Sequence, residues 1–467
     1  MCGRIRCFIK TANAALELIK VFAAHKQVQG DRMNPSYIKS SFLQMVSSMQ
    51  ENSRPFVNNP GVDFTRKRKC SMSDIILSTL SMEAHSLSHE IRNFFPAKRL
   101  PTKSAFVQQR AKLNEKAFPH LFQEINMRFP FKKTFRGFHL LACDGSDINI
   151  PPEKGRTLTY VRSNTPGVGY HQVHLNAIYD VLEERYLDIL IQPRSSINER
   201  NALCSFLLRN HIPGKCLFIA DRGYYSLKVL VRFIQSGDSF LLRMKSPGPS
   251  NSFLSHFKLP DSQEFDVSLS FNISHNRKMR TVDSSCPFIY WHAERGNADA
   301  YMEGERNAVF HLSVRLVKLT LPDGQGEEYL LTNLPKESFG IKDLRQLYGM
   351  RWGIETSFRS LKSNVGLNHF HSIKYPFIIQ EIYARVITYN LTKLLISCVR
   401  MPRGDTKYEY KVSFSDAVST TRYFLIHRII NAEILCMLQQ YLAPVRPDRI
   451  FPRKIHSKRF VPLQYRT

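Results

Sequence analysis

The sequence predicts an α/β protein in which a mixed sheet flanked by helices carries a mainly β insertion and follows a helical N-terminal region. Three observations predict this class. Between residues 135 and 246 the apolar patterns follow the order β-β-β-α-β-α-β. Short alternating apolar segments separated by Ser, Asn, Pro and Gly fill residues 247–327. Amphipathic helical patterns dominate before and after these segments, and the chain of 467 residues is long for one core.

The chain is strongly basic, with 66 Lys and Arg against 39 Asp and Glu and a formal net charge of +27. A charge of this size strains a compact fold by self-repulsion and indicates a polyanionic partner. No run of about 18 uncharged apolar residues is present, and charges interrupt the first 20 residues, so we expect neither a membrane span nor a signal peptide. Nucleic acid is therefore the expected partner, without a membrane, in the cytoplasm.

The nine cysteines are scattered, and no two have the CxxC spacing. Their odd number and spacing argue against a zinc ribbon and a secreted disulfide framework. We interpret them as reduced thiols that pack as small hydrophobic side chains.

Residues 1–130 are predicted to form an N-terminal helical DNA-binding region. A basic run, Arg66, Lys67, Arg68 and Lys69, precedes a helical pattern for which Ser73 is a candidate N-cap, and Ser104 is a candidate cap for the next helix. Two short helices with basic exposed faces resemble a small DNA-binding unit, and we assign the basic run to DNA contact. A plain helical bundle with a solvated basic face is equally compatible with this pattern.

Two strands of the central region are predicted to end in an acidic residue. The segment GFHLLACDGSDINIP ends its apolar run at Asp144, and KCLFIA is followed directly by Asp221. We expect both side chains to meet at one edge of the sheet. Asp147 is the alternative to Asp144, which is favoured because it follows the strand directly. Asp221 could instead cap a helix, but the Arg-Gly-Tyr-Tyr that follows favours a ligand.

The stretch YGMRWGIETSFRSLK is predicted to be helical and to place four functional side chains on one face. At about 100° per residue, Tyr348, Arg351, Glu355 and Lys362 fall within an arc of roughly 60°. Such a face suits a phosphodiester backbone better than a core. Taken alone, Glu355 could simply pair with Arg351 or Arg359 along the helix.

Asp144, Asp221 and Glu355 are together a candidate metal site. Three converging carboxylates are costly without a cation, and Mg²⁺ prefers carboxylates together with waters and phosphate oxygens. Two such ions about 4 Å apart could serve an in-line displacement at phosphorus. The scattered histidines are interpreted as structural or DNA-facing; they are His139, His171, His174, His369 and His371.

These motifs resemble those of the DDE transposases of the insertion-sequence-four family. The resemblance is carried by Asp144 in LLACDGSDI, Asp221 in LFIADRGYYS and the Y-x2-R-x3-E-x6-K signature from Tyr348 to Lys362. The segments SAFVQQRAKL and YLLTNLP and the β insertion provide matching context. The resemblance covers roughly residues 60 to 400.

The resemblance implies a ribonuclease-H-like catalytic domain that uses two Mg²⁺ ions, for which Mn²⁺ may substitute. Such enzymes cut at the terminal inverted repeats of their element and join the freed 3′-OH to target DNA, as a dimer on DNA. The resemblance also implies that Tyr348 and Arg351 contact the phosphate near the cut end and that Lys362 contacts the DNA backbone. We add Arg222 to the predicted DNA-binding residues. Some relatives stack a flipped base on an aromatic of the insertion, but for Trp291 a core position is favoured.

The predicted organisation has five regions. Residues 1–130 are the N-terminal helical region, 131–246 the first part of the catalytic domain, 247–327 the insertion, 328–400 the last catalytic part, and 401–467 a C-terminal helical region with a basic tail. Two alternatives remain open: a ribonuclease-H-like nuclease without strand transfer, and a catalytically inactive DNA-binding descendant. The presence of all three carboxylates and the lysine counts against the inactive form.

Overall fold

The structure is a computed structural model, and it describes most of the chain between residues 33 and 445. The described residues are 33–66, 68–162, 169–210, 212–248, 253–281, 286–291, 307–321, 326–401, 408–427 and 430–445. Lys67 of the basic run and the C-terminal tail lie outside them.

In the residues described from 33 onward, five α-helices precede the sheet. They are α1 (Pro35–Glu51), α2 (Met72–Ser81), α3 (Leu87–Phe94), α4 (Lys103–Arg110) and α5 (Ala117–Arg128). The two predicted N-caps were wrong. Ser71, not Ser73, caps α2, because its hydroxyl accepts from Asp74 N at 3.1 Å while the Asp74 carboxylate accepts from Ser71 N at 2.9 Å. Thr102, not Ser104, caps α4 by accepting from the backbone N–H of Ala105.

The central sheet contains the predicted order of strands and helices. Its elements are β1 (Phe138–Ile150), β2 (Tyr160–Arg162), β3 (Gly169–Asp180), β4 (Arg185–Pro193), α6 (Glu199–Arg209), β5 (Lys215–Ala220), α7 (Leu227–Ser236) and β6 (Ser239–Met244). β3 pairs antiparallel with β1 and β4, whereas β5 lies parallel between β1 and β6. The resulting spatial order β4-β3-β1-β5-β6 confirms the predicted mixed sheet.

Further strands continue this sheet beyond β6. They are β7 (Phe265–Ser274), β8 (Phe288–Tyr290), β9 (Phe310–Thr320) and β10 (Glu327–Thr332). β10 pairs antiparallel with both β6 and β9, and β9 pairs with β7. The described strands of the insertion therefore extend the catalytic sheet instead of forming a second one.

The remaining elements are mostly helical. They are α8 (Ile341–Met350), α9 (Trp352–Ser363), α10 (Tyr375–Ser397), β11 (Glu409–Val412), α11 (Phe414–Ile426), α12 (Asn431–Gln440) and β12 (Leu442–Val445). The single helix predicted through Tyr348–Lys362 is divided at Arg351, whose backbone keeps helical angles of φ −51° and ψ −33°. Tyr348 therefore lies on the first of two successive helices, and Glu355 and Lys362 lie on the second.

Apolar residues cover the sheet on both faces. Successive side chains of β1 alternate between two cores: Leu140 and Ala142 join the one that contains α10 and the N-terminal helices, whereas Leu141 and Cys143 join the one that contains α6 and α7. This two-sided burial fixes the register of β1 and so the position of the residues that follow Cys143. Among the described helices, none is both long and apolar enough to cross a membrane.

Candidate active site

Asp144 and Asp221 lie side by side where two parallel strands stop pairing. The β1–β5 ladder ends at the pair Cys143 and Ala220, and each aspartate is the next residue on its strand. The structure therefore brings them to one edge, as the sequence indicates. β1 itself does not end at Asp144, because its pairing with β3 continues to Ile150 opposite His171.

The face of α8 and α9 that carries Glu355 is turned toward these aspartates. Arg351 places Nη2 at 2.8 Å from Glu355 Oε1 and Nη1 at 3.9 Å from Asp144 Oδ2. The hydroxyl of Tyr348 donates to Asp221 Oδ1 at 3.3 Å. The helix thus contacts both aspartates, and Arg351 links Asp144 to Glu355.

Burial makes this edge of the sheet electrostatically demanding. Burial raises the pKa of Asp144 to about 6; Arg351 opposes this shift, and Glu355 and Glu199 add to it. The pKa of Glu355 is raised by burial, lowered by Arg351 and raised again by Asp221. Although burial lowers the pKa of Arg351, Tyr348 and the three carboxylates raise it above its ordinary value. Three acidic groups therefore share one guanidinium.

Asp221 makes the capping contact that the sequence offered as the alternative to a ligand role, and its side chain also faces the site. Its Oδ1 accepts from Arg222 N at 2.8 Å and so caps the short helical turn Arg222–Tyr224. The same oxygen lies 3.7 Å from Arg243 Nη1 and faces the Tyr348 hydroxyl. Capping therefore orients this carboxylate toward the site without removing it, while the Arg222 side chain is exposed.

Asp147 belongs to a different group of charges from Asp144. Its Oδ1 lies 2.7 Å from His174 Nδ1 and 3.7 Å from Arg194 Nη1. The hydrogen bond from His174 lowers the pKa of Asp147, against the effect of partial burial. The structure therefore places Asp144, and not Asp147, beside Glu355 and Arg351.

Two residues beside the site were missed by sequence reasoning. Glu199, the first residue of α6, lies with its Oε1 at 3.4 Å from His174 Nε2. Neither residue has a sequence spacing to Asp144 or Asp221 that would mark it, and His174 was interpreted only as structural or DNA-facing. Their proximity arises from the pairing of β3 with β1.

The predicted DNA-binding residues differ in their exposure. Tyr348 and Arg351 are 5% and 3% exposed, so their partners here are the carboxylates. Lys362 donates from Nζ to the backbone carbonyl of Asp147 at 2.7 Å. In the basic run Arg66, Arg68 and Lys69 are exposed, and Lys69 donates to the carbonyl of Leu100. Their contacts with DNA remain predictions.

Trp291 agrees with the core interpretation. It is 9% exposed, and its ring stacks on His275 with a centroid separation of 3.8 Å and an interplanar angle of 27°. The apolar surface of the ring is therefore already used within the protein.

The chemistry of Asp144, Asp221 and Glu355 suits a hard divalent cation. Carboxylate oxygens are the preferred ligands of Mg²⁺, and burial, which raises the pKa of Asp144, makes its charged form costly without a neighbouring cation. In the described part of the chain, however, no three His, Cys, Asp or Glu side chains are grouped closely enough to hold a metal ion. Here it is Arg351 that contacts Asp144 and Glu355.

Comparison with known proteins gives one family match, and it includes all three carboxylates. A family model described as a transposase DDE domain matches residues 137–391. The transposase for insertion sequence element IS231B of Bacillus thuringiensis subsp. berliner is 24% identical over 235 residues, which cover 45% of this chain and 47% of the relative. That of IS231F from Bacillus thuringiensis subsp. israelensis is 20% identical over 356 residues, which cover 69% and 72%. The chain thus spans about half the length of the first of these relatives and more of the second.

Two further similarities are weaker. The transposase for insertion sequence element IS1151 of Clostridium perfringens is 23% identical over 204 residues, covering 39% of this chain and 42% of the relative. A solved structure of the piggyBac transposase synaptic complex with hairpin DNA aligns with a TM-score of 0.46 and 10% identity, covering 89% of this chain and 87% of that chain.

Proposed function

Because the chain belongs to the transposase DDE domain family, we propose that it is a DNA transposase that cleaves at the ends of its element and joins the freed 3′-OH ends to target DNA. One observation carries this proposal: within the family match, Asp144 and Asp221 follow the paired ends of two parallel strands, and one helical face contacts both, through Arg351 to Asp144 and Glu355 and through Tyr348 to Asp221. The net charge of +27 supports a substrate with a phosphate backbone.

The family depends in general on divalent metal ions, and Asp144, Asp221 and Glu355 would hold them here. We assign two Mg²⁺ ions to the site, with Mn²⁺ as a substitute. When bound, such ions activate the attacking oxygen and stabilise the leaving oxygen of an in-line displacement at phosphorus. The buried position of Asp144 favours a cation, since charge neutralisation removes the cost that raises its pKa.

The basic and phenolic residues of the helical face have two roles in this proposal. In the free protein Arg351 contacts Glu355 at 2.8 Å and Tyr348 contacts Asp221 at 3.3 Å. With DNA bound, the same donors would contact the phosphate near the cut end, and Lys362 would contact the backbone. A planar guanidinium suits both partners, because carboxylates and phosphates accept paired N–H donors in the same geometry.

DNA binding outside the site would come from exposed basic residues. We assign this role to Arg222 and to the basic run, whose members are Arg66, Lys67, Arg68 and Lys69. The DNA would comprise the terminal inverted repeats and the target, bound by a dimer that assembles on DNA. The protein would act on chromosomal or plasmid DNA in a bacterial cytoplasm.

A strand-transfer assay tests this function and separates it from the two alternatives. Purified protein is incubated with Mg²⁺, a labelled duplex that carries the inverted repeat flanking the reading frame, and a target plasmid. Joined product supports the transposase. Cleaved but unjoined ends would indicate a nuclease, and DNA that is shifted in a gel but remains intact would indicate a DNA-binding descendant.

A further inference from the structure

We propose that His174 and Glu199 form a positioning pair that sets the spacing between the segments carrying Asp144 and Asp221, and so determines how tightly the site binds a divalent cation. The proposal rests on the proposed function, because it assumes that these aspartates are the metal ligands. It concerns residues that neither the family signature nor the sequence motifs include.

His174 is buried in the fold, whereas the Glu199 side chain is partly exposed. His174 lies on β3 directly opposite Asp147 of β1 and is 7% exposed. Its Nδ1 is 2.7 Å from Asp147 Oδ1, and its Nε2 is 3.4 Å from Glu199 Oε1. The imidazole therefore lies between two carboxylates, one on the sheet and one at the start of α6. Although burial lowers the pKa of His174, these two partners raise it to about 9, which keeps the ring charged.

Each member of the pair is packed against one of the aspartate-bearing segments. A Cβ added to Gly145, the residue after Asp144, would lie 2.1 Å from His174 Nε2. A Cβ added to Gly223, two residues after Asp221, would lie 2.9 Å from Glu199 Oε2. Neither glycine has a positive φ, so a larger residue is opposed here by close approach and not by backbone conformation, and at Gly223 the neighbouring Glu199 carboxylate would have to shift.

The two contacts together couple the aspartates. His174 limits how far the Gly145 segment can move toward β3, and Glu199 limits the Gly223 segment in the same way from the end of α6. Since His174 and Glu199 also contact each other, a shift of one segment is transmitted to the other. Groups outside the ligand shell that orient metal ligands typically change metal affinity or activity by about 10–100-fold when they are removed.

The informative variants are Glu199→Gln and His174→Gln, which keep the approximate size of each side chain but remove its charge. Glu199→Asp is a milder change that keeps the charge and withdraws it from Gly223. Gly145→Ala introduces the clash directly, and Gly349→Ala is its matched control, because a Cβ at Gly349 would have no atom within 4 Å. Circular dichroism and thermal unfolding establish that each variant is folded.

Isothermal titration with Mn²⁺ measures the effect, with binding to element-end DNA measured in parallel in the absence of metal. We expect Glu199→Gln, His174→Gln and Gly145→Ala to weaken Mn²⁺ binding by about 10-fold or more while DNA affinity stays within about 2-fold. Glu199→Asp should retain part of the Mn²⁺ affinity, and Gly349→Ala should equal the wild type. A purely structural role would lower the unfolding temperature without this selective loss.

Two results would overturn different statements. Wild-type Mn²⁺ affinity in Glu199→Gln and His174→Gln, together with a loss of binding in Asp144→Asn, would overturn the positioning pair and leave the metal site intact. If Asp144→Asn and Asp221→Asn bind Mn²⁺ as the wild type does, or if the wild type does not bind Mn²⁺, the proposed metal site is wrong. The positioning role of His174 and Glu199 is then overturned as well, because it depends on that site.

Discussion

Asp144 and Asp221 occupy matching positions on neighbouring parallel strands, since each directly follows one member of the Cys143–Ala220 pair that ends the β1–β5 ladder. Their proximity is thus a consequence of strand register and does not depend on a flexible loop. The apolar cores on both faces of the sheet fix this register. Two aspartates that are more than 70 positions apart in the chain therefore lie at the same edge of the sheet because apolar residues of both strands are buried.

Removal of the Arg351 guanidinium should destabilise the fold. Arg351→Ala leaves the half-buried Asp144 and Glu355 without their shared cation, and because both carboxylates are partly exposed we expect a loss smaller than the cost of about 3–5 kcal/mol for breaking a fully buried ion pair. Denaturant unfolding of Arg351→Ala measures this loss of stability. Arg359→Ala is the matched control, because Arg359 is an exposed arginine of the same helical stretch. The control should change the free energy of unfolding by less than about 0.5 kcal/mol. Equal stability of the two variants would mean that Arg351 does not compensate the carboxylates.

The basic run should contribute to affinity for DNA but not to sequence specificity. The double variant Arg66→Ala, Arg68→Ala removes two exposed charges. Each lost phosphate contact lowers the slope of log affinity against log salt concentration by about 1. Fluorescence anisotropy over a range of salt concentrations, with element-end and unrelated duplexes, should show equal weakening for both. An unchanged slope would exclude contact between these arginines and the DNA backbone.

Acid should weaken the attachment of the N-terminal helices to α10. Arg110 Nη1 lies 2.9 Å from Glu381 Oε1, and both side chains are buried. Although burial raises the pKa of Glu381, Arg110 and His371 lower it to about 2, from an ordinary value of 4.5. A carboxyl group whose pKa is lowered on folding stabilises the folded state at pH values above its ordinary pKa of 4.5. This contribution of about 3 kcal/mol is lost as the pH falls from 4.5 toward 2.

The free energy of unfolding, measured by chemical denaturation about every half pH unit between pH 6 and pH 3, tests this dependence. Wild type should lose stability more steeply than Glu381→Gln below about pH 4.5. Glu115→Gln, which alters an exposed carboxylate, should follow the wild type. If wild type and Glu381→Gln have the same pH dependence, the Arg110–Glu381 pair does not link the two regions energetically.

Local periodicity was sufficient to predict much of the fold and the placement of Asp144 and Asp221 after two neighbouring strands. The apolar runs of β1 and β5 predict buried strands, and the helical spacing from Tyr348 to Lys362 predicts one polar face. Local periodicity was less informative where contacts distant in sequence determine where a strand or helix begins and ends. β1 continues past Asp144 because β3 covers it, although the letters DGSDINI look like a turn. Ser71 and Ser73 are both acceptable caps, and only the reciprocal bond with Asp74 distinguishes them.

The part of the site that could not be predicted is the part made by contacts distant in sequence. His174 and Glu199 meet because β3 pairs with β1 and α6 begins beside them, which no spacing records. The requirement for glycine at 145 and 223 arises from the same two side chains. The burial of Tyr348 and Arg351 was also not predicted, since an amphipathic face in sequence does not reveal whether it is turned to solvent or to the sheet edge.

The most direct test of the central claim is cleavage and joining of element-end DNA by Asp144→Asn, Asp221→Asn and Glu355→Gln, with Asp147→Asn as the matched control. Each of the three substitutions should abolish cleavage and strand transfer in Mg²⁺, while affinity for the same DNA stays within about 2-fold, because the carboxylate is lost but the packing is kept. Asp147→Asn should keep measurable cleavage. Normal cleavage by any one of the three variants, or full loss confined to Asp147→Asn, would contradict the assignment of Asp144, Asp221 and Glu355 as the catalytic carboxylates.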